Sequence, residues 1–107
     1  MDIFDRAPRF TFKTKTLAEE FLKRMREAVY KYDVVTVNDI LRDRGEPSVQ
    51  DGHQFGYHRN EVRKLKPKSV ERFWQVEFPV PSRMVRDPNG YWTTENVLAL
   101  EEIKEGG

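Results

Sequence analysis

One amphipathic stretch near the start of the chain limits its fold more than any other feature. Between Leu17 and Tyr32, apolar residues recur at intervals of three and four, which places them along one side of a helix. Thr16 and Glu19 have the spacing of a capping box, so we expect the helix to begin there. A helix of this kind buries its apolar stripe against another layer, and short strand patterns surround it. We therefore predict a mixed α+β domain.

Shorter patterns predict the remaining elements. Residues 10–14 alternate apolar and polar side chains, as a half-buried strand does. Thr36 and Asp39 mark the start of a short second helix, which Gly45 ends in a left-handed conformation. A small antiparallel sheet follows, with its clearest strand at 72–78.

The predicted elements divide the chain into three parts. Residues 1–9 form a leader, residues 10–81 a single α+β domain, and residues 82–107 a turn followed by a C-terminal helix, with Pro88-Asn89-Gly90 marking the turn. Thr94 is positioned to cap this helix. Its thin apolar stripe is a candidate contact for a partner and consists of Val97, Leu98, Leu100 and Ile103.

The composition excludes several classes of protein. There is no cysteine, so disulfide scaffolds, thiolate metal sites and thiol catalysis are impossible. No apolar run reaches the roughly 18 residues that a membrane span needs. No N-terminal stretch joins a basic start to an apolar core, so we expect no secretory signal. We therefore expect a cytoplasmic protein.

Candidate catalytic and metal-binding residues are few. Asp51, His53 and His58 are close in sequence, but their spacing matches no established metal site. A solvated loop aspartate and two surface histidines are the simpler interpretation. The chain also lacks a glycine-rich phosphate loop and a Gly-x-Ser-x-Gly nucleophile elbow. We therefore expect no enzymatic activity, no metal and no cofactor.

The charges nearly cancel over the whole chain but not along it. The formal net charge is +1, from 19 Lys+Arg and 18 Asp+Glu, whereas nucleic-acid-binding domains usually show a larger basic excess. Residues 58–72 nevertheless contain six basic residues against two glutamates, and the charged residues after Thr94 are four glutamates against one lysine. The basic residues are candidate contacts for nucleic acid or for a partner, and they are Arg59, Arg63, Lys64, Lys66, Lys68 and Arg72.

This basic segment has two interpretations. It is either a loop kept soluble by its charge or a surface for phosphates. Phe73 and Trp74 follow it, and exposed aromatic side chains stack on single-stranded bases, although at strand spacing they more often belong to a core. A winged helix-turn-helix is excluded, because the gap from Gly45 to the next helical pattern at His58 is too long.

Several motifs resemble a group of small tailed-bacteriophage proteins. In that group a helix carries Ala-Glu and a methionine, and it is followed by Tyr-Gly-x-Val-Thr-Val-x-Asp-Leu, Tyr-Gly-Trp and a proline-flanked final strand. The resemblance spans residues 14–81. The corresponding stretches here are Ala18-Glu19 with Met25, Tyr32-Asp33-Val34-Val35-Thr36-Val37-Asn38-Asp39-Ile40-Leu41, Phe55-Gly56-Tyr57 and Phe78-Pro79-Val80-Pro81.

Three positions depart from the phage pattern. Asp33 replaces a glycine, Ile40 a leucine and Tyr57 a tryptophan, so each site keeps its character as a turn residue, an aliphatic or an aromatic. The resemblance implies a fold and a phage origin. It transfers no catalytic residue.

Two functional hypotheses remain open. The first is a small phage accessory protein that acts in the bacterial host cytoplasm by binding a host or phage protein, with the acidic tail as a contact element. The second is a nucleic-acid-binding protein that uses residues 59–72. A homo-oligomer is compatible with either hypothesis, because small domains often complete their cores by pairing. The near-zero net charge favours the first hypothesis.

Overall fold

The computed structural model describes residues 6–106, with the side chains of residues 6–101. The elements are β1 (Arg9–Phe12), α1 (Lys15–Tyr32), β2 (Val34–Thr36), α2 (Val37–Asp43), β3 (Phe55–His58), α3 (Arg59–Val62), β4 (Lys68–Val70), β5 (Phe73–Glu77), β6 (Ser82–Arg86), β7 (Trp92–Thr94) and α4 (Glu95–Gly106). The predicted α+β class is confirmed. Of the predicted leader, residues 1–5 lie outside the described range, and Arg9 already belongs to β1. Within residues 6–106, no helix has both the length and the apolar character needed to cross a bilayer.

The first helix begins earlier than predicted. Thr14, not Thr16, is its N-cap, and the Thr14 side chain accepts the backbone N–H of Leu17 at 3.2 Å. The difference arises because the chain turns immediately after β1, which leaves Thr14 with the extended backbone of an N-cap residue. The buried stripe of the helix consists of Ala18, Phe21, Leu22, Met25 and Val29.

The second helix has both of its predicted end signals. The Thr36 hydroxyl accepts the backbone N–H of Asp39, and the Asp39 carboxylate accepts the backbone N–H of Thr36, each at 3.1 Å. At the other end, Gly45 has a φ of 72°, and the backbone N–H of Glu46 donates to the carbonyl of Leu41 at 2.8 Å. The predicted start and end of this helix are therefore confirmed.

The strands form two antiparallel sheets, where the sequence predicts one. The first sheet has the order β1-β5-β4 and the second the order β2-β3-β6-β7. Residues 82–94, predicted as a turn, form β6 and β7, and Arg83 of β6 lies opposite Phe55 of β3. The prediction failed because this pairing joins distant parts of the chain and the strands show no apolar alternation. The predicted turn at 88–90 is the tip of the β6–β7 hairpin.

A shared core joins the two sheets to α1. The ring of Phe78 lies 6.1 Å from that of Phe21 on α1 and 4.9 Å from that of Tyr57 on β3, measured between ring centroids. The buried hydroxyl of Tyr57 donates a 2.7 Å hydrogen bond to the carbonyl of Pro79. This packing fixes β5, and with it the β4–β5 hairpin, relative to the second sheet.

Candidate binding surface

The predicted basic segment extends over α3, the loop after it and the β4–β5 hairpin. All six of its basic side chains are exposed. Between them, Val62 and Leu65 are buried, and Arg26 of α1 donates a 3.0 Å hydrogen bond to the carbonyl of Leu65. The segment is therefore attached to the fold, and it contains the helical turn α3 and the strand β4 in addition to loop residues.

Arg59 differs from the other five basic residues because it has an acidic neighbour. Its backbone N–H donates to the carbonyl of Asp33 at 3.0 Å, and its guanidinium lies 3.5 Å from the Asp33 carboxylate. This ion pair ties the start of α3 to the end of α1. Arg59 therefore belongs to a different surface from the rest of the segment.

The remaining five side chains form what we call the basic surface. None of them makes an ion pair within 4.0 Å with a carboxylate of the described side chains. Their positive charge is therefore available to an external partner. The basic surface consists of Arg63, Lys64, Lys66, Lys68 and Arg72.

An exposed apolar pair lies beside two of these charges, those of Lys68 and Arg72. Val70 and Phe73 lie opposite each other across the β4–β5 hairpin, and the Phe73 residue is 45% exposed to solvent. Because side chains alternate along a strand, Phe73 shares its face of the sheet with Lys68 and Val70. Arg72 occupies the turn next to Phe73, after Glu71 with its φ of 56°. The hairpin thus presents an apolar centre flanked by the cations Lys68 and Arg72, with the exposed Glu71 in the turn between its strands.

Trp74 lies on the opposite face of the same strand. It pairs with Phe12 of β1 and packs against the core, and the Lys15 ammonium lies 5.4 Å from the centre of its ring. The alternation of β5 sends Phe73 and Trp74 to opposite sides, so Trp74 packs against the core, as aromatic residues at strand spacing more often do, and Phe73 is left to stack on a base. Phe73 alone is exposed next to the basic surface.

The C-terminal helix is docked on the domain. Val97 is only 5% exposed, Leu98 is half-buried, and Leu100 is 61% exposed. The Thr94 hydroxyl accepts the backbone N–H of Val97 at 3.5 Å, as the predicted cap requires. The predicted apolar contact stripe is therefore partly used inside the fold, and the side chain of Ile103 lies outside the described residues.

Glu61 makes the connection between α3 and the C-terminal helix. Its carboxylate oxygen Oε1 accepts a 3.0 Å bond from the backbone N–H of His58 and a 2.9 Å bond from the Thr94 hydroxyl. The sequence suggested only a counter-charge at this position. Its role depends on Thr94, which lies 33 residues away, so no local pattern reveals it.

His58 is a buried capping residue, whereas the sequence suggests a surface histidine. It is 8% exposed, and its Nδ1 accepts the backbone N–H of Asn60 at 3.2 Å. Burial lowers the pKa of the His58 imidazole, and the positive charge of Arg59 lowers it further. The negative charge of Asp33 raises this pKa, but the net shift is downwards. Asp51 and His53 are exposed. Among the described side chains, no three His, Asp or Glu residues form a group that could hold a metal ion.

The structure thus separates the candidate residues into a basic surface, an ion-paired Arg59 and a partly buried tail. No family model, curated protein or solved structure matches this chain. A functional proposal accordingly rests on the chain's own residues.

Proposed function

We propose that this chain is a small, non-enzymatic accessory protein of a tailed bacteriophage that binds an acidic surface of a host or phage protein in the host cytoplasm. The observation that carries the proposal is the basic surface: its five exposed cations make no ion pair with the carboxylates of the described side chains, and two of them, Lys68 and Arg72, flank the exposed Val70–Phe73 pair. The phage origin is supported by the motif resemblance of residues 14–81.

The arrangement of the hairpin suits a protein interface. Such interfaces place aromatic or aliphatic side chains at the centre and charged groups at the rim, and arginine and aromatic residues carry much of the binding energy. Here Phe73 and Val70 supply the centre, and Lys68 and Arg72 supply the rim. In addition, β4 is an edge strand, so its outer backbone groups are available to pair with a strand of the partner.

The charge of the basic surface specifies an acidic partner. Complementary charge accelerates association and discriminates against other proteins, and its effect weakens with salt. The tail is the weaker candidate for the contact, because Val97 is occupied inside the fold. We therefore assign the contact to the hairpin.

Nucleic acid is the second candidate for the same surface. It is favoured by the position of Phe73, whose exposed ring adjoins Arg72 and Lys68, as in sites where bases stack on aromatics beside cations. Single-strand affinity falls with salt by about 0.7 log unit per contacted phosphate for each log unit of salt. An oligonucleotide titration at several salt concentrations therefore distinguishes the two candidates.

A pair of charge-reversal variants tests the proposal. K68E/R72E reverses the two charges that flank Phe73. K31E/R83E reverses two exposed charges elsewhere and serves as the matched control. Each variant and the wild type are used to capture partners from host lysate, with labelled single-stranded DNA as a parallel probe. We expect K68E/R72E to lower the affinity for the captured protein at least about tenfold and K31E/R83E to leave it unchanged. Equal binding by both variants would contradict the proposal, and salt-sensitive binding of DNA alone would select the second candidate.

A further inference from the structure

One residue at the edge of the first sheet presents unpaired backbone groups. In the β4–β5 hairpin, Val70 lies opposite Phe73 next to the turn, so these two residues exchange both of their backbone hydrogen bonds. Because the bonds alternate along an antiparallel pair, the N–H and C=O of Ser69 point away from β5. Within the described residues, neither of these two groups makes a hydrogen bond. The outer side of β4 therefore offers a donor and an acceptor to a further strand.

The other edge of this sheet is less open. Its outer strand is β1, where the carbonyl of Thr11 accepts a 3.4 Å hydrogen bond from the Arg44 guanidinium. Natural sheets protect their edges with such contacts, with charged side chains or with proline. On β4 the proline is Pro67, which precedes the strand and has no N–H to donate. Pairing at β4 is therefore restricted to a short segment centred opposite Ser69.

The side chains next to Ser69 determine what that segment must contain. Lys68 and Val70 lie on the same face of β4, one on each side of Ser69. A residue added opposite Val70 meets the exposed Val70–Phe73 pair. A residue added opposite Lys68 meets an ammonium that makes no ion pair with the described carboxylates. Since cross-strand apolar pairs and opposite charges both stabilise a sheet, the segment that fits has an apolar and an acidic residue two positions apart.

Charge argues against a second copy of this chain as the added strand. Two copies paired through β4 would place the basic surface of one beside the basic surface of the other. Like charges that face each other across a strand pair destabilise it. An acidic partner instead gains from the same five cations. The occupant of the β4 edge is therefore a partner with negative charge.

We propose that the partner binds through an extended acidic segment that adds to β4 as an antiparallel strand. The segment carries an apolar residue opposite Val70 and an acidic residue opposite Lys68, and the residue between them exchanges both backbone hydrogen bonds with Ser69. The antiparallel direction is the more stable of the two per residue. This inference rests on the proposed function, because it specifies how the same site recognises its partner.

The test uses the intact chain and the peptide Ac-Thr-Glu-Thr-Val-Thr-Glu-Thr-NH2, which has the required alternation. In an NMR titration of the backbone amides, we expect shifts localised at residues 68–73 and a Kd of about 0.1–1 mM. The matched peptide carries an N-methyl group on the threonine that follows the valine. It keeps every charge and loses the N–H that bonds to the Ser69 carbonyl, so we expect it to bind at least about tenfold more weakly.

Two substitutions at Ser69 give the corresponding test on the protein. S69P removes the outward N–H and leaves the hydrogen bonds to β5 in place, because those bonds come from Lys68 and Val70. S69A keeps the N–H and is the matched control. We expect S69P to bind the unmethylated peptide at least about tenfold more weakly than the wild type and S69A to bind it equally. Amide spectra of the free variants verify that both retain the hairpin, and the methylated peptide tests the same bond on the wild type.

The outcomes separate this inference from the proposed function. Strand addition is overturned by equal binding of the two peptides, by equal binding of S69P and the wild type, or by no shift at residues 68–73 up to about 5 mM peptide. If K68E/R72E loses the peptide while S69P retains it, the acidic contact of the proposed function stands and only the added strand is wrong. Equal capture of partners from lysate by K68E/R72E and the wild type would contradict the proposed function and this inference together.

Discussion

The hydroxyl of Thr94 donates a 2.9 Å hydrogen bond to Oε1 of Glu61, and the same oxygen accepts the backbone N–H of His58 at 3.0 Å. This single carboxylate therefore holds together the end of β7, the start of α4 and the first turn of α3. Thr94 is fully buried, so the bond is protected from water. The relationship explains why residues after 94 are part of the domain.

Replacing Thr94 with valine removes both the bond to Glu61 and the cap on the Val97 N–H, and it should lower the free energy of unfolding by at least about 1.5–3 kcal/mol, the range for one hydrogen bond to a charged group. The matched control is Thr93→Val, because Thr93 is also buried but its hydroxyl makes no hydrogen bond within the described part of the chain. We expect T93V to be neutral or slightly stabilising. Urea denaturation measures the free energy of unfolding of the two variants. Equal decreases in T94V and T93V would mean that the hydrogen bonds of Thr94 do not stabilise the fold.

The docking of α4 gives a second prediction. Val97→Ala removes a buried side chain and should cost about 1–3 kcal/mol, whereas Leu100→Ala removes an exposed one and should change stability by less than about 0.5 kcal/mol. Thermal unfolding of both variants provides the measurement. If V97A unfolds at the wild-type temperature, α4 is not packed on the domain in solution.

The sequence identifies elements whose signals are local and misses those that depend on distant pairing. Thr36 and Asp39 form the predicted capping box, and Gly45 ends the predicted helix, because each signal acts within a few residues. In contrast, β4 consists of Lys68, Ser69 and Val70, all exposed at the edge of a sheet, so it shows no apolar alternation. Only its pairing with β5 makes it a strand.

The β6–β7 hairpin was detectable in part. Its turn was predicted from Pro88-Asn89-Gly90, and the backbone N–H of Asp87 donates to the carbonyl of Tyr91 at 2.8 Å across that turn. The sequence does not predict the two strands, because neither Ser82–Arg86 nor Trp92–Thr94 shows a regular alternation of apolar and polar residues.

Stability should depend on pH through His58. Burial is the main cause that lowers the pKa of this imidazole in the folded chain, and Arg59 adds to it, while Asp33, Glu101 and Glu61 act in the opposite direction. The unfolded histidine, with a pKa near about 6.5, then binds more protons than the folded one as the pH falls. We therefore expect stability to decrease from pH 7 towards pH 5.5, by at most about 1.4 kcal/mol per pH unit.

The variant His58→Asn isolates this effect, because asparagine is a good N-cap and does not titrate. Urea denaturation across the same pH range should show a smaller slope for H58N than for the wild type. His53→Asn, at an exposed position, should keep the wild-type slope. A slope that persists in H58N would assign the pH dependence to other groups.

Gly56 has no room for a side chain. It lies opposite Thr36 in the β2–β3 pair, and a Cβ atom there would collide with the backbone carbonyl of Val35. Because backbone atoms cannot move aside cheaply, Gly56→Ala should destabilise the fold by several kcal/mol, on the order of 2–4. Gly45→Ala provides a comparison in which the cost comes from the left-handed backbone and no contact is made. In thermal unfolding followed by circular dichroism, we expect G56A to unfold at a lower temperature than G45A.

The most direct test of the central claim is hydrogen–deuterium exchange of the captured complex. We predict that backbone amides of residues 68–73, at the β4 edge and the hairpin turn, exchange more slowly in the complex than in the free chain. Amides of α4 should exchange at the same rate in both, and K68E/R72E should form the complex at least about tenfold more weakly than the wild type. Protection confined to α4 or to other segments, with residues 68–73 exchanging as in the free chain, would contradict the account.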